Sequence, residues 1–542
     1  MTPSAHTDTF VRDNLPPAEQ WPRLLFDLPE LDYPARLNAS AILDRAVAGG
    51  LADKPAVLST SPTLTYGDLL AAVCKIAHVL TEDMALEPGG RVLLHAANRP
   101  LALAAWIAIV RAGGVAVATM PMLRAEELAT VVRKARICHA IAEAGLRGSM
   151  EGCQVLAPGL ERVTYFGEGG DLEARMAGRP SVFSPVDTVA DDPALIAFTS
   201  GATGAPKGCV HFHRDILAMT DTFARHILRP GPDDVFCGTP PLAFTFGLGG
   251  CLIFPLAFGA ATALCAAPGY EALCAAIDRH RVTTLFTAPT TYRALLKSGA
   301  ARRLTTLKTC VSAGEALPKA TSDAWFDATG LRIVDGIGST EMIHIFISAV
   351  GADIRPGSTG KAIPGYRAEL LDPDDRLVEG PGVGRLAVRG PTGCRYLADA
   401  RQGDYVVDGW NVTGDIYRRD EDGYFWHVAR GDDMIVSAGY NIGAPEVEHA
   451  ILTHPKVAEA AVIGWPDEDR GQICKAFVVL HHPADAGEGG TLARDIQDHV
   501  KRAIAPYQYP RAVVFVTELP KTASGKLQRF RLRATPPPAL PG

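Results

Sequence analysis

Lys207 stands in the stretch FTSGATGAPKGCVHFH, residues 198–213, after a run of glycines and hydroxyl side chains. Thr199, Ser200 and Thr203 supply hydroxyl donors, Gly201 and Gly204 let backbone N–H groups approach an anion, and Lys207 adds a positive charge. That composition suits a phosphate, but it breaks the P-loop rule. The rule needs Gly immediately before the lysine and Ser or Thr immediately after it, whereas Pro206 precedes Lys207 and Gly208 follows. A second constellation, DGIGSTE at 335–341, puts Glu341 beside the hydroxyls of Ser339 and Thr340. One carboxylate with neighbouring hydroxyls can hold Mg²⁺ and the phosphate it accompanies. In NVTGDIYRRDEDGYFWHVARGDD, Asp415 is expected on a turn, where a carboxylate can accept both hydroxyls of a ribose, and Arg430 can reach the same hydroxyls or a phosphate. LPKTASGKLQR sets Lys526 on a Gly/Ser turn suited to reaching into a closed cleft. His211 and His213 are expected on one side of a strand, with no carboxylate or third ligand nearby, and so as structural or phosphate-side residues rather than metal ligands.

These groups need elements to position them. ALIAF before the Lys207 loop reads as a buried strand, and LRIVDGIG, 331–338, as another that runs into Ser339. From about 66 to 145 helical and strand patterns alternate: YGDLLAAVCKIAHVLTEDM, RVLLHA, LALAAWIAIVRAG, GVAVATM. The rhythm resumes in GYEALCAAIDRHRVTTLFTAP and LTTLKTCVSAG, as parallel sheets covered by helices require. Residues 1–40, rich in Pro and aromatics, are expected to form an arm over the body, and 167–193 a loop. After about 356 short strands with turn signals take over, and beyond 433 a compact α+β unit follows. The fold class is therefore α/β: a large N-terminal domain of helix-covered sheets plus a β-rich subdomain, residues 1–431, and a small mobile α+β C-terminal domain, residues 432–542.

Size and charge narrow the function. A chain of 542 residues exceeds one ordinary core, and a net charge of −7 gives no global reason to bind nucleic acid or an anionic membrane. The 11 cysteines include no CxxC pair, which disfavours zinc and a disulfide framework and fits reduced thiols in a cytoplasmic protein. The N-terminus has no basic start or apolar core of a signal peptide. From Val235 to Tyr270 no residue is charged, a length that can span a bilayer. Pro240, Pro241, Pro255 and the GLGG at 247–250 punctuate it, so the expectation is a loop, a buried helix over 248–258 and a buried strand near 260–265. This stretch is a candidate wall for a hydrophobic substrate rather than a membrane span.

In order and spacing, the motifs resemble those of the adenylate-forming superfamily: acyl- and aryl-CoA ligases, luciferases and nonribosomal peptide adenylation domains. Members carry a TSGTTGxPKG loop, YGxTE, TGD, GRxDD and PxTxSGK, and the resemblance runs from about 55 to 533. Ala202 replaces a Thr of the loop, Ile337 follows Gly336 where Tyr-Gly is usual, and ARGDD lacks its first Gly but keeps Arg430 and Asp432. The resemblance implies that ATP is attacked at the α-phosphorus with pyrophosphate leaving, so the Lys207 loop holds the β/γ end. By matched position, Thr199 to Lys207 would grip the triphosphate. Gly314, Glu315 and Ala316 in SAGEALP, with Asp335, Gly336 and Ile337, would wall the adenine. Thr340 and Glu341 would hold phosphate and Mg²⁺, Asp415 the ribose, and Arg430 would support it. Lys526 would bridge the substrate carboxylate and the α-phosphate. Asp432 would be the hinge about which the C-terminal domain rotates, bringing Gly439 and Tyr440 to line a pantetheine tunnel for coenzyme A.

On the acid side, Phe244 matches the family's gate between acyl pocket and thiol tunnel. LAFTFGLGG and GSTEMIHIF look most like benzoate- and 2-aminobenzoate-CoA ligases, and DNLPPAEQWPRLLFDLPELDYP favours the latter. Thr245, Phe246, His344 and Ile345 would then form a flat, mostly neutral slot for an aromatic carboxylic acid. The expected protein is an AMP-forming aryl-CoA ligase, monomer or homodimer. A ligase for another small acid and a non-enzymatic nucleotide-binding module are the alternatives. No GxSxG elbow supports a hydrolase, and no carrier domain follows Gly542 as a nonribosomal adenylation domain would have.

Overall fold

The computed structural model describes residues 3–534 apart from 61, 200–205, 266, 438–439, 468–469, 505–507 and 522–526, with the backbone alone at 432, 436, 440–441, 471 and 486–489. Ser200, Gly201, Thr203, Gly204, Gly439 and Lys526 lie outside the described residues.

Contacts divide the chain into a first unit, Met1–Gly201, Ala205–Ala368 and Val388–Asn411, and a second, Ala202–Gly204, Glu369–Ala387 and Val412–Gly542. Residues 432–542 fall wholly in the second, which also takes in 369–387 and 412–431.

Among the described residues the first unit carries two sheets. One runs Arg162–Phe166, His139–Glu143, Arg91–His95, Val115–Thr119, Pro193–Thr199, Lys207–Phe212. All neighbours are parallel except the last pair, an antiparallel hairpin. Every residue of Arg91–His95 and Val115–Thr119 is buried, as strands covered on both faces must be. The crossover helix Pro100–Arg111 starts with Pro, which gives up no needed N–H there, and ends with Arg111 bidentate on Asp44. The helix Tyr66–His78 is fixed by a reciprocal cap between Thr65 and Asp68.

The other sheet runs Lys361–Ala362, Ile345–Ser348, Ile333–Gly338, Thr309–Ser312, Thr284–Thr287, Val235–Gly238, Ala261–Ala263, Pro55–Leu58, Leu64–Thr65. Its middle is parallel from Ile333–Gly338 to Pro55–Leu58, with antiparallel strands at each end. The uncharged segment supplies two of these strands, with helical turns Thr245–Leu248, Gly249–Ile253 and Phe254–Ala257 between them. The strand Val235–Gly238 corrects the expected loop; four residues before a Pro-Pro pair are too few for a period to show. Among the described residues no helix is long and apolar enough to cross a membrane. The N-terminal arm is bound to its unit as expected: Ser4 Oγ donates to Asp192, Thr7 and Asp8 N–H donate to the Pro88 carbonyl, and Asp8 pairs with Arg91.

In the second unit, strands Trp410–Arg419 and Phe425–Arg430 form an antiparallel pair. A separate sheet runs Tyr440–Gly443, Met434–Ser437, Gly471–Leu480, Val457–Asp467, with Ala512–Phe515 parallel on Gly471–Leu480. Helices Ala444–Leu452 and Gly489–Ala503 pack Val447, Ile451, Leu492 and Ile496 into one apolar core with Val462 and Val478. The C-terminal helix Arg529–Ala534 is tied by Arg529 to Asp433 and Glu448, and by Arg533 to Asp433. All 11 cysteines are free, and 8 are buried.

Candidate active site

The Lys207 loop joins the two strands of a hairpin. Thr199 ends one strand, Lys207 begins the next, and the two residues face each other across the ladder. The register places a hydroxyl residue and a lysine opposite each other at the mouth of the hairpin. Thr199 Oγ1 is buried and has no hydrogen-bond partner among the described residues. A buried, unpartnered hydroxyl on the residue paired with a lysine is suited to an anion.

Thr340 and Glu341 lie on the tight turn between Ile333–Gly338 and Ile345–Ser348, closed by Met342 N–H to Ser339 O and Ile343 N–H to Thr340 O. Ile343 has φ +64°, a conformation a β-branched residue adopts only at a cost of about 1–3 kcal/mol. Glu341 Oε1 lies 3.7 Å from Lys207 Nζ. It accepts a 2.6 Å hydrogen bond from Tyr396 Oη, which in turn accepts from Lys207 Nζ at 2.8 Å. Burial first, then the Glu341 charge, hold the Tyr396 phenol protonated, well above its ordinary range. The turn is also gripped from the hairpin: His211 Nε2 donates to Thr340 O at 2.8 Å.

The twin histidines separate. His211 is on the strand Lys207–Phe212, but His213 begins the helix His213–Met219 and its Nδ1 accepts from Ala39 N–H. A carboxylate does stand near His211, contrary to expectation: Asp215 Oδ2 is 3.8 Å from its Nδ1. The strand-to-helix turn folds Asp215 back. Burial alone would raise the Asp215 carboxyl, but Arg395 at 3.0 Å holds it well below its ordinary range. The Asp215 oxygen nearest His211 is thereby taken by Arg395. Among the described residues no group of three or more His, Cys, Asp or Glu can hold a metal. Mg²⁺ does not need one, because it keeps waters and takes phosphate oxygens beside one or two carboxylates. A single buried carboxylate with a Thr hydroxyl next to it fits that ion.

Gly314, Glu315 and Ala316 follow the strand Thr309–Ser312, and Asp335, Gly336 and Ile337 lie on its parallel neighbour, with Ser312 opposite Asp335. Two stretches far apart in sequence thus meet at the C-terminal ends of adjacent parallel strands, where open α/β sheets bind ligands. Gly314 has φ +90°, which its missing Cβ permits. Glu315 accepts from Thr290 Oγ1 at 2.9 Å. Asp335 Oδ1 is buried without a partner among the described residues, and burial raises the Asp335 pKa to about 7.

In the second unit Asp415 lies inside a strand, not on a turn. It faces Arg430 across the antiparallel pair, Nη1 to Oδ1 3.5 Å. Gly414, at φ +78°, supplied the turn signal in the sequence, but the backbone stays in the strand. Asp415 is 8% exposed, and the Arg430 side chain is open to solvent. Asp432 lies in the short turn Gly431–Asp433 between Phe425–Arg430 and Met434–Ser437, and Tyr440 begins the strand Tyr440–Gly443.

Phe244 precedes the turn Thr245–Leu248 and is half-buried, like Phe246. The preceding PPLA turn is held by Asn98, whose amide donates to Pro240 O and whose carbonyl accepts from Leu242 N–H, each 3.0 Å. His344 is 3% exposed and ringed by Phe254, Phe223 and Phe246 at 4.7, 5.1 and 5.8 Å between centroids. Burial lowers its pKa from 6.5 to about 3 against a weak contact with the Phe246 backbone, and among the described residues neither ring nitrogen has a well-formed hydrogen bond. The glycines Gly249 and Gly250 make room for this cluster: a Cβ at Gly249 would come within 2.7 Å of the His344 ring, and one at Gly250 within 2.4 Å of Phe286. Thr245 is buried with them, whereas Ile345 packs its side chain on Gly336.

Tyr396, Asn98 and Phe223 escape a reading of the sequence. Each stands in a segment with no composition signal and gains its place only through tertiary contacts.

A hairpin suited to an anion, a turn whose carboxylate fits Mg²⁺ and adjacent parallel strand ends open to a ligand are parts that an adenylate-forming enzyme would use. Residues 43–396 match the family model for AMP-binding enzymes, and 446–526 that for the AMP-binding enzyme C-terminal domain. The chain belongs to the AMP-binding enzyme family. It is 35% identical to a benzoate–CoA ligase of Thauera aromatica over 93% of this chain and 97% of that one. It is 32% identical to a 3-hydroxybenzoate–CoA ligase of Aromatoleum sp. (strain CIB), over 91% and 96% respectively. The crystal structure of the anthranilate CoA ligase AuaEII in complex with anthranoyl-AMP matches with a TM-score of 0.88 at 33% identity, covering 94% of this chain and 99% of that one.

Proposed function

We propose that the protein is an aryl-CoA ligase. It activates a benzoate-type acid, with 2-aminobenzoate favoured and benzoate next, through an acyl-adenylate, and then forms the CoA thioester. One observation carries this reading: His344, three residues beyond Glu341, is a neutral imidazole without a well-formed hydrogen bond among Phe223, Phe246 and Phe254. An apolar aromatic enclosure continuous with the phosphate turn suits an aromatic ring, and a neutral imidazole nitrogen can accept from an ortho-amino group. The benzoate- and anthranilate-ligase relatives support the same substrate class.

ATP, Mg²⁺ and coenzyme A are its cofactor and co-substrates. Bound Mg²⁺ neutralises phosphate charge, and Thr340 and Glu341 would hold it. Lys207 with Thr199 and the loop residues Ser200, Gly201, Thr203 and Gly204 hold the β/γ end of ATP. The α-phosphorus is left for the aryl carboxylate oxygen, which forms the new P–O bond as pyrophosphate leaves. Gly314 to Ala316 and Asp335 to Ile337 wall the adenine, Asp415 takes the ribose hydroxyls, and Arg430 supports it. Lys526 bridges carboxylate and α-phosphate as charge develops. Residues 432–542 act as a lid turning about Asp432, after which Gly439 and Tyr440 line the path of the CoA thiol. The thiol attacks the acyl carbon and AMP leaves.

Thioester formation across a panel of acids tests the substrate class. An apolar pocket discriminates by only about 1–3 kcal/mol per methylene-sized contact, so 2-aminobenzoate, benzoate and small halobenzoates should all be converted and decanoate should not. Efficient turnover of decanoate, or failure with every benzoate, would overturn the aryl assignment.

A further inference from the structure

Tyr396 has no part in the roles assigned above, yet its hydroxyl stands between the two charges that meet the triphosphate. It accepts from Lys207 Nζ at 2.8 Å and donates to Glu341 Oε1 at 2.6 Å, while the two charged atoms stay 3.7 Å apart. The lysine ammonium also lies 4.7 Å from the centre of the Tyr396 ring, a cation–π distance. The ring is 1% exposed and packs edge-on against Tyr405, whose Oη reaches Ser339 Oγ on the Glu341 turn at 3.2 Å.

The backbone around Tyr396 is as firmly held. Val210 N–H donates to Arg395 O and Leu397 N–H to Gly208 O, each 2.8 Å, and Cys209 and Tyr396 form a β-bridge. Tyr396 N–H donates to Gln402 Oε1 at 2.9 Å. The tyrosine is therefore mounted on the strand that begins with Lys207, and its hydroxyl reaches across to the turn that carries Glu341.

Opposite charges at this spacing, partly shielded from water, attract strongly. Without the bridging hydroxyl this ion pair would close from 3.7 Å to direct hydrogen-bond contact, spending on each other the donors and oxygens that a nucleotide needs. A hydroxyl that accepts from one and donates to the other satisfies both at fixed separation. We propose that Tyr396 is a positioning residue for ATP, whose hydroxyl holds Lys207 and Glu341 apart so that both face the triphosphate and its Mg²⁺. This rests on the reading of the protein as an ATP-dependent adenylate-forming ligase.

Tyr396→Phe keeps the ring and removes the hydroxyl. In pyrophosphate exchange driven by benzoate or 2-aminobenzoate, its KM for ATP should rise about tenfold, the scale of a lost charge-assisted hydrogen bond, with kcat changed far less. MgATP affinity measured by calorimetry without acid should fall by a similar factor. In a Lys207→Ala background the same change should matter by less than about twofold, because the hydroxyl acts through the lysine. A wild-type ATP affinity in Tyr396→Phe overturns the proposal, and so does an equal loss in both backgrounds. If the variant melts lower, calorimetry well below its transition should still read the tenfold loss of MgATP affinity, and wild-type affinity there overturns the proposal as before. Should the wild type exchange pyrophosphate with no acid, the ligase reading fails, and the calorimetric arm still decides the role of Tyr396.

Discussion

In the proposed mechanism Lys526 carries a charge that the first half-reaction needs and the second does not. Its ammonium would stabilise the carboxylate's attack on ATP, so Lys526→Ala should cut adenylation at least about 10²-fold, in the range of one lost preorganised donor. Conversion of a supplied aryl-adenylate to thioester should persist; an equal fall in both steps contradicts the role. Asp335 gives a pH signature. Burial raises its pKa from 3.8 to about 7, so between those values the native state keeps a proton that the unfolded chain has released. The stability this contributes is full below about pH 4 and is lost as pH rises toward 7. Asp335→Asn removes the effect, and its melting temperature should gain on the wild type as pH is raised from 5 to 7.5. Parallel melting curves for the two proteins would contradict the buried carboxyl. Lys207, Glu341, Asp415 and Arg430 were available as proposals from the sequence because each charged group stands beside Gly, Ser or Thr. Tyr396 was not, since a tyrosine in RYLADA owes its role to two partners 189 and 55 positions away.

At the scale of elements, the hairpin sets Lys207 at the start of a strand, and the turn between Ile333–Gly338 and Ile345–Ser348 carries Glu341 to it. The strand Pro193–Thr199 and the strand Ile333–Gly338 could be read from short apolar runs bounded by turn residues. The location of Asp415 could not: Gly414 advertises a turn, and only pairing with Phe425–Arg430 keeps the strand going. His213 and Asp215 were hidden for a related reason, because a strand that passes directly into a helix changes period within two residues. The short turn Gly431–Asp433 is the proposed pivot. Asp433 is tied to Arg529 and Arg533 of the C-terminal helix, which leaves Asp432 the residue before that anchored point. Proline fixes φ near about −65° and removes the N–H, so Asp432→Pro should trap the adenylating orientation. The variant should exchange pyrophosphate with an aryl acid yet form little aryl-CoA from the acid or its adenylate. An unchanged melting temperature with normal thioester formation would remove the pivot role, and a lowered one with both steps depressed would mean a merely structural turn.

For the whole molecule, the alternation of helical and strand patterns over hundreds of residues forecast helix-covered parallel sheets, because buried parallel strands demand continuous apolar runs that polar helices separate. The same logic read the uncharged stretch 235–270 as core and pocket wall, and its strands and helical turns occupy the middle of the nine-stranded sheet and its cover. How far the second unit reaches back into the chain was not legible, since 369–387 joins it through sheet pairing rather than sequence adjacency. In the proposed reaction an aryl acid and ATP form an adenylate before any thiol is involved. Isotope exchange between labelled pyrophosphate and ATP, without coenzyme A and with 2-aminobenzoate or benzoate, measures that step alone. Acid-dependent exchange, abolished in Lys526→Ala, is the predicted result; exchange that needs coenzyme A, or none with any aryl acid, would contradict the account.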